Sequence, residues 1–119
     1  MAVRIYHNPR CNTSRKALAL LRDNGIEPDI VEYLKTPPSA AELRTILRQL
    51  QMPAAKLLRR KEAAAAGIDP RLLSEEALIG EMVRNPIVIE RPIVVADGKA
   101  VLGRPPAAVL GALSNASRE

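Results

Sequence analysis

The sequence predicts an α/β fold, a small mixed β-sheet with helices on its faces, built in the order βαβ, helices, ββα. Three observations carry that expectation. A short alternating segment, Val3-Arg4-Ile5-Tyr6, is followed by a helix-period run and then by a second β-rich segment. A long helical stretch with its own capping signals occupies the middle of the chain. Near the end, two apolar runs flank Asp97-Gly98, the composition of a tight hairpin turn.

In chain order, Val3–Tyr6 reads as a strand ending in the turn His7-Asn8-Pro9. Ser14 is expected to cap a helix carrying Ala17, Leu18, Leu20 and Leu21 on one side, and Asn24-Gly25 is expected to stop it. Cys11 then lies in the strand-to-helix turn. Residues 28 to 34 are β-rich and should return as a second strand, parallel to the first through the helix.

Thr36-Pro37-Pro38 breaks the pattern, and Ser39-Ala40-Ala41-Glu42 has the spacing of a capping box before Leu43, Ile46, Leu47 and Leu50. Helix is expected to continue from Ala54 to Arg60 and through Glu62–Ala66. It should resume with Ser74 capping a segment that holds Leu78, Ile79, Met82 and Val83. Residues 36 to 85 thus read as a helical insertion. Asn85-Pro86 ends it, the hairpin follows, and Gly103-Arg104-Pro105 opens a last short helix with Val109, Leu110 and Leu113. Residues 114–119 read as a frayed tail. One domain over residues 1–119 is expected, with the order of a thioredoxin-type or glutaredoxin-type sheet.

Composition narrows the function. The chain has 119 residues, a formal net charge of +5, no Trp or Phe, and two tyrosines, Tyr6 and Tyr33. Without aromatic platforms, stacking of single-stranded bases is disfavoured. The arginines occur singly or in pairs, at Arg10, Arg15, Arg59, Arg60, Arg91 and Arg104, rather than in a dense basic run. A small oxyanion or an acidic protein face remains open as the anionic partner, most of these arginines read as solvated surface, and neither a nucleic acid nor a membrane surface is expected as a partner. One cysteine excludes an internal disulfide and a multi-cysteine metal site, so no metal is expected and a reducing, cytoplasmic setting fits. No bilayer-spanning apolar run and no secretory leader are read from the sequence.

Cys11 is the candidate nucleophile. At the N-terminus of a helix its thiol faces unpaired backbone N–H groups, and these, with nearby cations, lower a cysteine pKa and favour the reactive thiolate. His7, Arg10 and Arg15 are close in sequence, and Arg15, one turn beyond the cysteine, is able to point back at it. A lone cysteine is commonly just a small buried apolar residue, but a polar turn between a proline and a capped helix is an unusual place for core. For His7, tuning of the thiolate and simple ordering of the turn remain equally open. Ser14 stands where a Cys-x-x-Cys motif would place its second cysteine, so any disulfide chemistry must take its second thiol from elsewhere.

These residues carry a resemblance. Tyr6-His7-Asn8-Pro9-Arg10-Cys11-Asn12-Thr13-Ser14-Arg15, together with Arg91-Pro92-Ile93-Val94-Val95 and Gly103-Arg104-Pro105, is similar to the glutaredoxin-coupled, ArsC-like arsenate reductases, from about Val3 to Leu113. The resemblance implies a thioredoxin-like fold with a helical insertion. It implies Cys11 as the nucleophile attacking arsenate, with Arg59, Arg91 and Arg104 holding the anion, Arg60 being the neighbour most easily confused with Arg59. It also implies a cis-proline at Pro92 facing the cysteine. His7, Ser14 and Arg15 would tune the thiolate. No bound cofactor is implied; glutathione is a co-substrate, glutaredoxin the protein partner, and a monomer the expected state. The chain ends near residue 119 where better-characterised members carry a longer tail, as in a short subgroup of the YfgD and YffB type, and Asn12 takes a place often held by glycine.

Two other functions share these features. A glutathione-dependent thiol reductase or transferase would use the same Cys11 on another electrophile. A regulator of the Spx type, which binds RNA polymerase, shares the fold family but typically carries Cys-x-x-Cys, and Ser14 argues against such a switch.

Overall fold

A computed structural model describes residues 2–117, the side chains of residues 114–117 excepted. The chain divides into two compact units, the first formed by Met1–Thr36 with Arg91–Glu119 and the second by Pro37–Glu90. Of the expected frayed tail, 114–119, the backbone of 114–117 is helical, and residues 118–119 lie outside the described residues.

In the first unit, four strands form a single mixed sheet among the described residues: β1 (Val3–His7), β2 (Asp29–Glu32), β3 (Ile93–Ala96) and β4 (Lys99–Leu102), in the order β2-β1-β3-β4. β1 and β2 are parallel, joined by α1 (Asn12–Asp23), while β3 runs antiparallel to both β1 and β4. The Asp97-Gly98 turn has positive φ at both positions, 50° and 78°, the type I′ geometry whose twist matches its strands. Val3, Ile5, Val94 and Ala96 pack against Ala17, Leu18 and Leu21 of α1 and against Val109 and Ala112. Aliphatic and alanine side chains thus build the core that lacks phenylalanine.

α1 begins earlier than expected. Cys11 is its N-cap residue, and Ser14 lies inside the first turn, fully buried, instead of capping it. Its hydroxyl is taken up by the strand end: Asn8 N–H donates to Ser14 Oγ at 3.1 Å, and His7 Nδ1 lies 2.6 Å from the same oxygen. The C-terminus of α1 follows expectation. Asn24 caps it, and Gly25 (φ 78°) and Ile26 send their N–H groups back to Arg22 and Leu21 in a Schellman arrangement. β2 is shorter than the β-rich run, because Lys35 and Thr36 both turn their N–H groups back to the Glu32 carbonyl.

In the second unit, α2 (Ala40–Leu50) starts with the expected capping box of Ser39 and Glu42, and α5 (Glu75–Arg84) is capped by Ser74, which accepts from Ala77 N–H. The intervening helix is not continuous. It splits into α3 (Ala54–Leu57) and α4 (Arg60–Ala65), because Leu58 pairs with Ile89, Arg59 N–H donates to the Val88 carbonyl at 2.7 Å, and Glu90 N–H donates to Leu57 at 2.8 Å. A nonlocal backbone pairing has overridden local helix propensity. Residues 86–88 form a 3₁₀ turn.

After β4, Pro105 is followed by a 3₁₀ turn, Pro106–Val109, and then by α6 (Leu110–Ser117). The last helix therefore starts later than the proline suggested. No helix among the described residues is long and apolar enough to cross a membrane.

Gly103 is the tightest point of the first unit. A Cβ there would lie 2.6 Å from Pro92 Cγ, 3.1 Å from Pro92 Cδ and 3.0 Å from Val109 Cγ1, and the Gly103 N–H donates to the Pro92 carbonyl at 2.9 Å. Pro92 and Val109 are themselves buried, so neither ring nor methyl can step aside cheaply. Gly103→Ala is expected to destabilise the protein by about 1–3 kcal/mol, the usual cost of overpacking, read as a lower denaturation midpoint at unchanged m-value.

Candidate active site

The site is assembled from three loops of the first unit. Residues 8–11 connect β1 to α1, Arg91-Pro92 precedes β3, and Gly103–Pro105 follows β4. Adjacent strands carry these loops, since β1 pairs with β3 and β3 with β4. The Arg91–Pro92 and Arg104–Pro105 peptide bonds are both cis. Pro92 is thus the cis-proline that the resemblance implied; the second, at Pro105, was not anticipated.

Cys11 stands at the head of α1, within reach of the Arg91 side chain. It is 9% exposed, and its extended conformation (φ −93°, ψ 122°) hands the chain into α1. Its N–H donates to Asn8 carbonyl and its carbonyl accepts from Arg15 N–H, both at 3.0 Å. The thiol makes no capping hydrogen bond of the kind formed by Ser39 and Ser74. What surrounds the sulfur matters for its ionised form. Burial pushes the Cys11 thiol up, but the Ser14 amide, the charge and donor of the Arg91 side chain and the Thr13 amide together outweigh it, leaving the thiol below its ordinary value.

Arg91 is half-buried and Arg104 exposed. Arg104 Nε donates to the Arg91 carbonyl at 3.1 Å, so the loop after β4 is fastened to the loop before β3. Such a pair offers planar donor forks suited to a tetrahedral oxyanion. Arg59 belongs to the second unit. There its Nη2 lies 2.8 Å from Glu62 Oε2, its Nη1 donates to the Ile87 carbonyl at 3.3 Å, and its side chain is 16% exposed. Arg60, the alternative, is exposed at the start of α4.

Arg15 is engaged by the turn itself. Its guanidinium donates to the Pro9 carbonyl at 3.3 Å and to Asn12 Oδ1 at 3.0 Å, so Arg15 braces the turn from the solvent side. Asn12 thereby provides an anchor that glycine could not. His7 Nδ1 meets the Ser14 hydroxyl, which ties the end of β1 to the first turn of α1. Burial is the main cause holding the His7 imidazolium back, with Arg22 and Arg15 adding to it and Glu32 opposing, and its pKa is lowered. Asn8 escaped the sequence reading although it too is buried. An Asn ahead of a proline at a strand end is a turn signal, and its sequence alone carries no sign of burial.

A thioredoxin-like sheet with one cysteine at the head of its first helix defines the class of protein. The ArsC family model matches residues 6–112. The chain is 55% identical to the uncharacterized protein YfgD of Escherichia coli (strain K12) over 111 residues, 91% of this chain and 93% of the relative. It is 44% identical to an arsenate reductase of Rhizobium meliloti (strain 1021), over 95% of this chain and 82% of that one. Among solved structures it is similar to an arsenate reductase from Vibrio cholerae, with a TM-score of 0.86 and 43% identity over 95% of this chain and 98% of that chain. The chain belongs to the ArsC family.

Two outcomes are expected of the site in solution. Alkylation of Cys11 by iodoacetamide should rise with pH about a midpoint below the free-thiol value of about 8.5, and Arg91→Ala should move that midpoint upward. His7 is the only histidine, so its imidazole proton resonance is unambiguous, and its NMR titration midpoint should fall below about 6.5. Because the folded-state value is lowered, the unfolded chain binds more protons in that range. The contribution of His7 to stability is therefore present above about pH 6.5 and is lost as pH falls through the folded-state value.

Proposed function

We propose that this chain reduces arsenate to arsenite, with Cys11 as the nucleophile and glutathione and glutaredoxin as the source of electrons. The observation that carries the reading is the setting of Cys11. A nearly buried sulfur sits where two amides of the first helical turn and the Arg91 guanidinium favour its thiolate. Membership of the ArsC family supports arsenate as the electrophile, and the relatives named arsenate reductase support it further.

Arsenate near neutral pH is largely a dianion, and attack by a thiolate requires that the two negative charges be brought together. Arg91 and Arg104 neutralise the oxyanion, and the helix N-terminus stabilises negative charge on sulfur until the S–As bond forms. An arsenate oxygen leaves as water after protonation. Reduction of As(V) to As(III) then takes two electrons, which two thiols supply on becoming a disulfide. The chain holds one cysteine, and Ser14 stands in the second position, so at least one thiol comes from outside it. In this reading glutathione adds to the arsenic in place of a second oxygen, which leaves as water. The glutaredoxin thiolate attacks the glutathione sulfur so that the mixed disulfide departs and leaves As(III), and water hydrolyses the Cys11 S–As bond to free arsenite and the thiol. Arg59 enters the reading through the resemblance.

The test is a coupled assay with arsenate, glutathione and glutaredoxin. Wild type is expected to form arsenite, Cys11→Ser to lose at least about a thousandfold in kcat, and Arg91→Ala to lose about ten- to a hundredfold in kcat/KM, the worth of a charge-assisted contact. Turnover of a mixed disulfide without arsenite would transfer the same machinery to a glutathione-dependent thiol reductase.

A further inference from the structure

We propose that Asn8 is a positioning residue for Cys11, tying the end of β1 to the first turn of α1 so that the amides of that turn stay aimed at the sulfur. The inference rests on the reading of Cys11 as nucleophile. Asn8 is buried and uses three of its polar groups within the turn. Its backbone N–H donates to Ser14 Oγ at 3.1 Å, its carbonyl accepts from Cys11 N–H at 3.0 Å, and its side-chain Oδ1 accepts from Arg10 N–H at 3.0 Å. The first bond holds the residue whose own amide faces the sulfur, and the second holds the cysteine itself.

The side chain is what keeps those two backbone bonds in register. Oδ1 closes an Asx turn around Pro9, fixing the backbone of Arg10 immediately before the cysteine. Alanine at this position removes the acceptor and leaves the Arg10 amide without its partner, so residues 9–10 gain freedom next to Cys11. Serine closes the same turn more weakly. Nothing in these contacts touches the guanidinium groups of Arg91 or Arg104, so the effect falls on the thiol and not on anion binding.

The experiment is a pH titration of Cys11, by thiolate absorbance and by iodoacetamide rate, in wild type, Asn8→Ala and Asn8→Ser, with thermal stability measured on each. The Ala variant is expected to raise the thiol midpoint by on the order of one pH unit, with the Ser variant between it and wild type. Arsenate turnover of the Ala variant should fall by about tenfold below the wild-type midpoint and recover as pH rises above both midpoints. A folded Ala variant that loses thermal stability yet titrates at the wild-type midpoint assigns Asn8 a structural role only and overturns the proposal. Should Asn8→Ala fail to fold, a wild-type midpoint in folded Asn8→Ser overturns it equally. The titration needs no arsenate: a shifted midpoint in a protein that reduces no arsenate leaves the positioning role standing and removes the substrate.

Discussion

The first unit is organised around the difficulty of ionising a sulfur that is almost out of water. Burial alone would hold Cys11 as a neutral, sluggish thiol. Helix α1 supplies the remedy at its N-terminus, where the amides of Thr13 and Ser14 have no carbonyl to bond within the helix and remain available to a negative charge. A cysteine, whose thiol caps weakly, occupies the position that serine or threonine would otherwise fill. Local helix stability is given up there, and reactivity is what the position retains.

That compensation holds only if the turn is rigid, and the structure braces it on two sides. Inside, Ser14 joins His7 and Asn8 to α1; outside, Arg15 spans Pro9 and Asn12. The His7 imidazole belongs to this bracing. Burial lowers its pKa, which favours the neutral imidazole beside the Ser14 hydroxyl. The arginine side of the site is fixed by a separate device. The Pro92 ring fits against a residue without a side chain, Gly103, and Arg104 then reaches back to the Arg91 carbonyl. Two loops that are distant in sequence are thereby locked together by one missing Cβ and one hydrogen bond.

Much of this was legible from residue order, and some was not. The Ser39-Glu42 box, the Ser74 cap, the Asn24-Gly25 stop and the Asp97-Gly98 turn are local devices, each complete within a few residues, and each stands where the sequence put it. Ser14 does not cap α1, because its partners, His7 and Asn8, lie at the end of β1 and in the turn that follows it. The break at Leu58–Arg59 lies beyond local pattern for a similar reason. It comes from pairing with residues 88–90, some thirty positions away, which no local pattern records.

The sequence by itself determined the βαβ start, the terminal hairpin, the lone thiol at a helix N-terminus and the absence of a second cysteine, because period, capping chemistry and composition are properties of neighbouring residues. Only the tertiary structure decided how deeply Cys11 is buried and which cation faces it. It also decided that His7 bonds the Ser14 hydroxyl, that Arg15 bonds Pro9 and Asn12, and that Arg91 from a distant loop faces Cys11. Those outcomes depend on which loops the sheet order β2-β1-β3-β4 brings side by side, and electrostatic influence on a thiol falls off with distance in space, a quantity that spacing along the chain does not encode.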